Sequence, residues 1–262
     1  MKTVSGVFSS ATDAERALVE MRSIGIRDDQ MTLLTPGKQE SKIQSVPAVA
    51  GEQPGMGKAM AAVLGGSAGL SGGALVMAAI PGVGLITAMG LLGSAILAAA
   101  GAGVGAVVGG KLENSMTEGL PEDELFVYED ALRKGRSVVI VLVEDESKAS
   151  LVRELLKAEG AEAVDAAREK WWIGLRPAEQ EHYSALGKNF GTDEKFYRLG
   201  FESALHARTR CKEYDQVLAE MTAQIEELEQ QYPGVDLAEP FTHGYERGRD
   251  YYQQLCNESK AA

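Results

Sequence analysis

From Ala59 to Gly110 the chain carries no charged residue, and Lys58 and Lys111 bracket the run. A helix crossing a bilayer needs only ~20 apolar residues, so the run has room for two passes. Ile80-Pro81-Gly82-Val83-Gly84 interrupts it with residues that disfavour continued helix. The pattern predicts two apolar helices, from about Met56 to Ala79 and from about Leu85 to Lys111.

Small side chains recur at every fourth place. Gly57, Ala61, Gly65, Gly69 and Gly73 form one row. Ser94, Ala98 and Ala102 form a second, beside Gly101, Gly105 and Gly109. Residues four apart share a helix face, and small ones let two backbones approach closely. Glycine inside a helix costs ~1 kcal/mol against alanine in water, so close packing, lipid or both must compensate. These rows are the candidate helix-packing residues, and rows on both helices predict a homo-oligomer.

The flanking sequence is ordinary by comparison. Thr3 to Phe8 reads as a strand. Thr12 and Glu15 read as a capping box before a helix with Ala14, Ala17, Leu18 and Met21 on one face, which Gly25 ends. Met31 to Thr35 reads as a second strand, and residues 36–55 as a flexible linker. After the uncharged run come a helix from Pro121 to Lys134 and a strand from Ser137 to Val143. A helix from Lys148 to Ala158 and a short strand from Ala161 to Asp165 follow. Read without the insert, the order is β-α-β twice. That predicts an α+β fold, a ferredoxin-like sandwich formed by residues 1–35 and 120–167. The inserted helical hairpin occupies 56–112, and an all-helical region occupies 171–262. Within the latter, Tyr197-x-x-Gly200-Phe201-Glu202-x-Ala204 repeats as Phe241-x-x-Gly244-Tyr245-Glu246-x-Gly248. The repeat predicts two helices crossing closely at small residues, with aromatics around the crossing.

Several of these residues together resemble a known bacterial family. They are Ile80-Pro81-Gly82-Val83-Gly84, the small-residue run to Gly110, Gly119-Leu120-Pro121-Glu122-Asp123-Glu124, Tyr128-Glu129 and Gly135 with the strand after it. The stretch from Met1 to about Asp165 is similar to the YflT-like general stress proteins with a glycine-zipper insert. The resemblance implies stress association and membrane proximity, and no catalytic residue. It does not extend to the C-terminal helices.

Composition narrows the function further. Thirty-eight acidic against 26 basic residues give a net charge of −12, which argues against nucleic acid and against anionic lipid bound by charge alone. Cys211 and Cys256 form no CxxC, and the N-terminus has no apolar signal-peptide core, so a reducing compartment and the cytoplasmic side of a membrane are expected. There is no Walker loop. The GxGxxG-like strings lie inside the apolar run rather than after a strand, so no cofactor is expected.

One set of residues could hold a metal. Glu179 and His182 have the Glu-x-x-His spacing of di-iron bundles; Glu202 with His206, and His243 with Glu246, could complete a carboxylate–histidine site. The alternative is that all six are polar residues on amphipathic helices. Trp171-Trp172 reads as a cap on the core where the two halves meet, rather than as an interfacial belt. These readings converge on a non-enzymatic, self-assembling, membrane-associated stress or scaffold protein at the cytoplasmic face of a bacterial inner membrane. A cytoplasmic oligomer is the alternative location. The alternative function is an accessory subunit that docks a soluble partner through residues 171–262.

Overall fold

The computed structural model describes residues 2–37, 75–80, 82–90, 93, 96, 123–207, 209–210, 212 and 214–261. The expected linker from residue 38 on lies outside them. So do the candidate helix-packing residues Gly57, Ala61, Gly65, Gly69, Gly73, Ser94, Ala98, Gly101, Ala102, Gly105 and Gly109, and Cys211.

The architecture is α+β, with three layers. In chain order the elements begin β1 (Lys2–Phe8), α1 (Ala11–Ser23), β2 (Met31–Pro36), β3 (Leu75–Ile80) and β4 (Gly84–Gly90). They continue with α2 (Leu125–Arg133), β5 (Ser137–Val143), α3 (Glu146–Ala158) and β6 (Glu162–Ala163). Four helices close the chain: α4 (Val164–Ala185), α5 (Phe190–Leu205), α6 (Tyr214–Gln231) and α7 (Ala238–Ala261). The strands form one sheet in the order β3-β4-β2-β5-β1-β6, with every neighbouring pair antiparallel.

The sheet is covered on both faces, which explains why β5, Ser-Val-Val-Ile-Val-Leu-Val, is an unbroken apolar run rather than an alternating one. Val139, Val141 and Val143 face one way, with Val4, Phe8 and Leu33. They meet Ala14, Ala17, Leu18 and Met21 of α1 and Ala149, Val152 and Leu156 of α3. Val138 and Ile140 face the other way, with Val7, Leu34, Ile86 and Ala88. They meet Phe126, Tyr128 and Leu132 of α2, Trp171 and Trp172 of α4, and Phe201 of α5. Trp171 and Trp172 are 4 % and 2 % exposed, so they sit in the core between sheet and C-terminal helices as the sequence suggested.

The main correction concerns residues 75–90. The expected helices fail here: Leu75–Ile80 and Gly84–Gly90 are two strands of a β-hairpin appended beside β2. Three causes act together. Val76, Ile80, Val83, Ile86 and Thr87 are β-branched and favour strand. Gly82 and Gly84 take φ of +77° and +99°, a left-handed geometry that turns the chain cheaply only at glycine. β2 offers an open edge whose hydrogen bonds β4 completes. Gly93 and Ile96, by contrast, are helical and buried.

Smaller corrections follow the caps. Ser10, not Thr12, starts α1: its backbone is extended and its hydroxyl accepts the Asp13 N–H at 3.2 Å. Asp145 likewise caps α3 through the Lys148 N–H, so that helix begins at Glu146 rather than Lys148. Leu151 of that helix is 50 % exposed, while Ala149, Val152 and Leu156 form its buried face. The last strand is only two residues long, because Val164 and Asp165 already belong to α4. That helix runs without a break through 167–171. Among the described residues, no helix is long and apolar enough to cross a membrane.

Candidate functional site

Two consecutive helices, α4 and α5, frame a groove of about 680 Å³. Asp165, Arg168 and Glu169 line it from α4. Gly191, Glu194, Lys195, Arg198, Leu199 and Glu202 line it from α5. The spacings of three and four in both sets place each on one helix face. Asn189 sets the start of α5 by accepting the Gly191 N–H on its side-chain oxygen at 3.1 Å.

Most of the charges lining this groove are paired. Arg198 bridges Glu169 at 2.7 Å and Glu202 at 2.6 Å. Arg176 grips Glu194 with two prongs of 2.7 Å each, and the Trp172 indole N–H donates to the same carboxylate at 3.0 Å. The Arg176 bond is the main reason that the Glu194 carboxyl lies below the usual carboxylate range. Arg168 stacks over Phe126 at 5.6 Å, and the Lys195 ammonium sits 3.8 Å from the Tyr232 ring centre.

Two further pairs lie deeper. Glu179 accepts the Tyr197 hydroxyl at 2.7 Å and two Arg247 donors at 2.9 and 3.1 Å. Burial first, and then that carboxylate, push the Tyr197 phenol up. Arg210 donates to both oxygens of Glu129 at 2.8 and 3.0 Å, with the two side chains 0 % and 7 % exposed. Burial raises the Glu129 carboxyl, and the Arg210 charge pulls against it.

The six residues considered for a metal do not come together. Glu179 turns inward to Tyr197 and Arg247, while His182, three residues on, is exposed. Glu202 is taken by Arg198. His206 follows the end of α5, where its carbonyl receives the Thr209 and Arg210 N–H groups. His243 packs its ring 5.8 Å from that of Tyr183, and Glu246 is exposed. Among the described residues no three His, Cys, Asp or Glu side chains converge as metal ligands would.

The C-terminal repeat does come together. A Cβ on Gly200 would lie 1.9 Å from the Phe241 carbonyl oxygen, and one on Gly244 would lie 1.9 Å from that of Tyr197. The repeated glycines thus meet reciprocally, each under the aromatic that opens the other motif. Gly248 and Ala204 face each other at the next turn, where an added Cβ would be 2.9 Å from that of Ala204. Phe241 and Tyr245 are buried there beside Val217 and Met221 of α6.

The arginines that organise all this were not singled out in the sequence. Arg198 and Glu202 could have been, from their spacing of four. Arg176 with Glu194, Arg210 with Glu129 and Arg247 with Glu179 meet only through the tertiary fold. Chemically, the described carboxylates serve as acceptors for arginines and phenols that tie helices together. Comparison of the chain with protein-family models, with curated proteins and with solved structures returned no match.

Proposed function

We propose that the protein is a non-enzymatic, self-assembling scaffold whose small-residue segment packs against copies of itself at a membrane. The resemblance to YflT-like general stress proteins, which implies stress association, belongs to this proposal, as does the cytoplasmic face of a bacterial inner membrane as its location. The carrying observation is the uncharged run from Ala59 to Gly110 with its rows of small residues four apart. Two features support it. The strand order β2-β5-β1-β6 within the antiparallel sheet supports reading residues 1–35 and 120–167 as a ferredoxin-like sandwich that carries the uncharged run as an insert. Both faces of that sheet are already covered by α1 and α3 and by α2, α4 and α5.

Membrane flotation combined with size measurement tests the reading. The full chain is expected to float with liposomes or to run as an oligomer, and Gly65→Leu with Gly101→Leu to reduce the size. A full chain that neither floats nor associates without detergent overturns it.

The groove between α4 and α5 favours a second reading, in which the C-terminal helices dock a soluble partner. Truncation at residue 171 does not test that cleanly, because Trp171 and Trp172 belong to the core. A charge reversal in the groove, Lys195→Glu, is the better probe: a partner list unchanged in pull-down from the source cell removes the docking role.

A further inference from the structure

The two edges of the sheet are treated very differently. At one end β6 has only two residues. Its Glu162 is held by Arg136 and Lys170, and α4 begins at the next residue. Short length and charge are the ordinary means of stopping another chain from pairing there. At the other end β3 has six residues, Leu-Val-Met-Ala-Ala-Ile, with no charge and no proline. The hairpin is also fixed in place, since Arg133 Nε donates to the Gly82 carbonyl at 2.6 Å in its turn.

The register shows which backbone groups of β3 face outward. The Gly37 N–H donates to the Leu85 carbonyl at 2.6 Å, so the polar groups of Leu85 point toward β2. Antiparallel pairs alternate between bonded and non-bonded. Ala79, the partner of Leu85, therefore turns its N–H and C=O away from β4, and Met77 and Leu75 do the same two and four residues back. Among the described residues no backbone group accepts or donates to them. Beside them the Met77 and Leu85 side chains are 43 % and 39 % exposed.

We infer that the outer edge of β3 pairs antiparallel with β3 of a second copy of this chain. Two observations select a second copy as the occupant. The whole hairpin from Leu75 to Gly90 is uncharged in a chain of net charge −12, so it is where two acidic copies meet with least repulsion. The register is also self-complementary. A two-fold axis at Met77 sets Met77 against its own copy and Leu75 against Ala79, so all three outward-facing residues fall in bonded pairs, and each such pair exchanges two hydrogen bonds. The two Met77 side chains then cover each other. The inference rests on the self-assembly part of the proposed function, but it assigns a surface separate from the small-residue rows.

The test is sedimentation: analytical ultracentrifugation of the full chain, with amide exchange read at residues 75–80. Met77→Pro removes one outward N–H and leaves the β3–β4 bonds intact. Met77→Lys keeps the N–H and sets two ammonium groups against each other across the axis. Both are expected to weaken association at least about tenfold, with the monomer's circular dichroism unchanged. Protection at Leu75, Met77 and Ala79 is expected to fall. Should Met77→Pro misfold, Met77→Lys alone decides. Wild-type size in the folded Met77→Lys variant, or a full chain that is monomeric throughout, overturns the inference. Loss of size in Gly65→Leu with Gly101→Leu but not in Met77→Lys rejects the edge and keeps the zipper. The reverse result rejects the zipper and keeps the edge.

Discussion

The sheet's two faces are closed by different materials. The first is closed by aliphatic residues of α1 and α3, the helices that directly follow β1 and β5. The second is closed by aromatic residues from α2, α4 and α5, among them Trp171, Trp172 and Phe201. The buried charged residues Glu129, Glu179, Glu202 and Arg210 all lie on this second side. The first face needs only that helices be apolar and nearby. The second needs particular partners from distant parts of the chain, carried by helices that also pack on each other. Defects are therefore expected to be graded on the first face and abrupt on the second.

The glycine crossing of α5 and α7 is the sharpest place to test this. Gly244→Leu puts a side chain where the Tyr197 carbonyl already lies. A backbone carbonyl inside a helix cannot step aside as a side chain can. The expected loss exceeds about 4 kcal/mol, beyond ordinary overpacking, and shows in urea denaturation as loss of the cooperative transition. Gly174 in α4 is the control, because a Cβ there meets nothing within 4 Å. Gly174→Ala is expected to stabilise by up to about 1 kcal/mol. Equal effects at the two glycines would mean that the crossing is loose.

How much of this was legible depends on sequence distance. Ala14, Ala17, Leu18 and Met21 announce the α1 face, and Ser137 to Val143 announces β5, because each pattern is complete within one element. The crossing was visible as well, since its two halves are copies of one motif. The hairpin at 75–90 reads as helix in the sequence because the long uncharged run around it, with small-residue rows on either side, outweighs its own β-branched residues. A helix cannot be told from a strand there without knowing that β2 leaves an edge open. The arginine ties were illegible for a similar reason. Nothing near Glu129 points to Arg210.

That pair gives the next prediction in size. Arg210→Met keeps the volume but leaves the Glu129 carboxylate buried without its cation. Removing one partner of such a pair costs about 3 kcal/mol or more. Adding Glu129→Leu to it is expected to restore most of the loss, because the site is then apolar throughout. A double variant no better than the single one, in urea denaturation at neutral pH, would show that the two residues act separately.

The smallest effect lies at the rim of the groove and depends on pH. Glu194 is held below the ordinary carboxylate range, first by Arg176, with Trp172 adding its indole N–H. A carboxyl depressed in the folded state binds its proton more weakly than in the unfolded chain. Its contribution is therefore complete above the ordinary carboxylate range and is lost as pH falls through the lowered value. Glu194→Gln is expected to cost about 1 kcal/mol at pH 7, as befits a partly exposed pair. The wild type should approach the variant as the pH falls below the ordinary carboxylate range, and salt should narrow the gap at neutral pH. A gap that stays constant with pH would mean that Glu194 contributes through its contact with Trp172 and not through its charge.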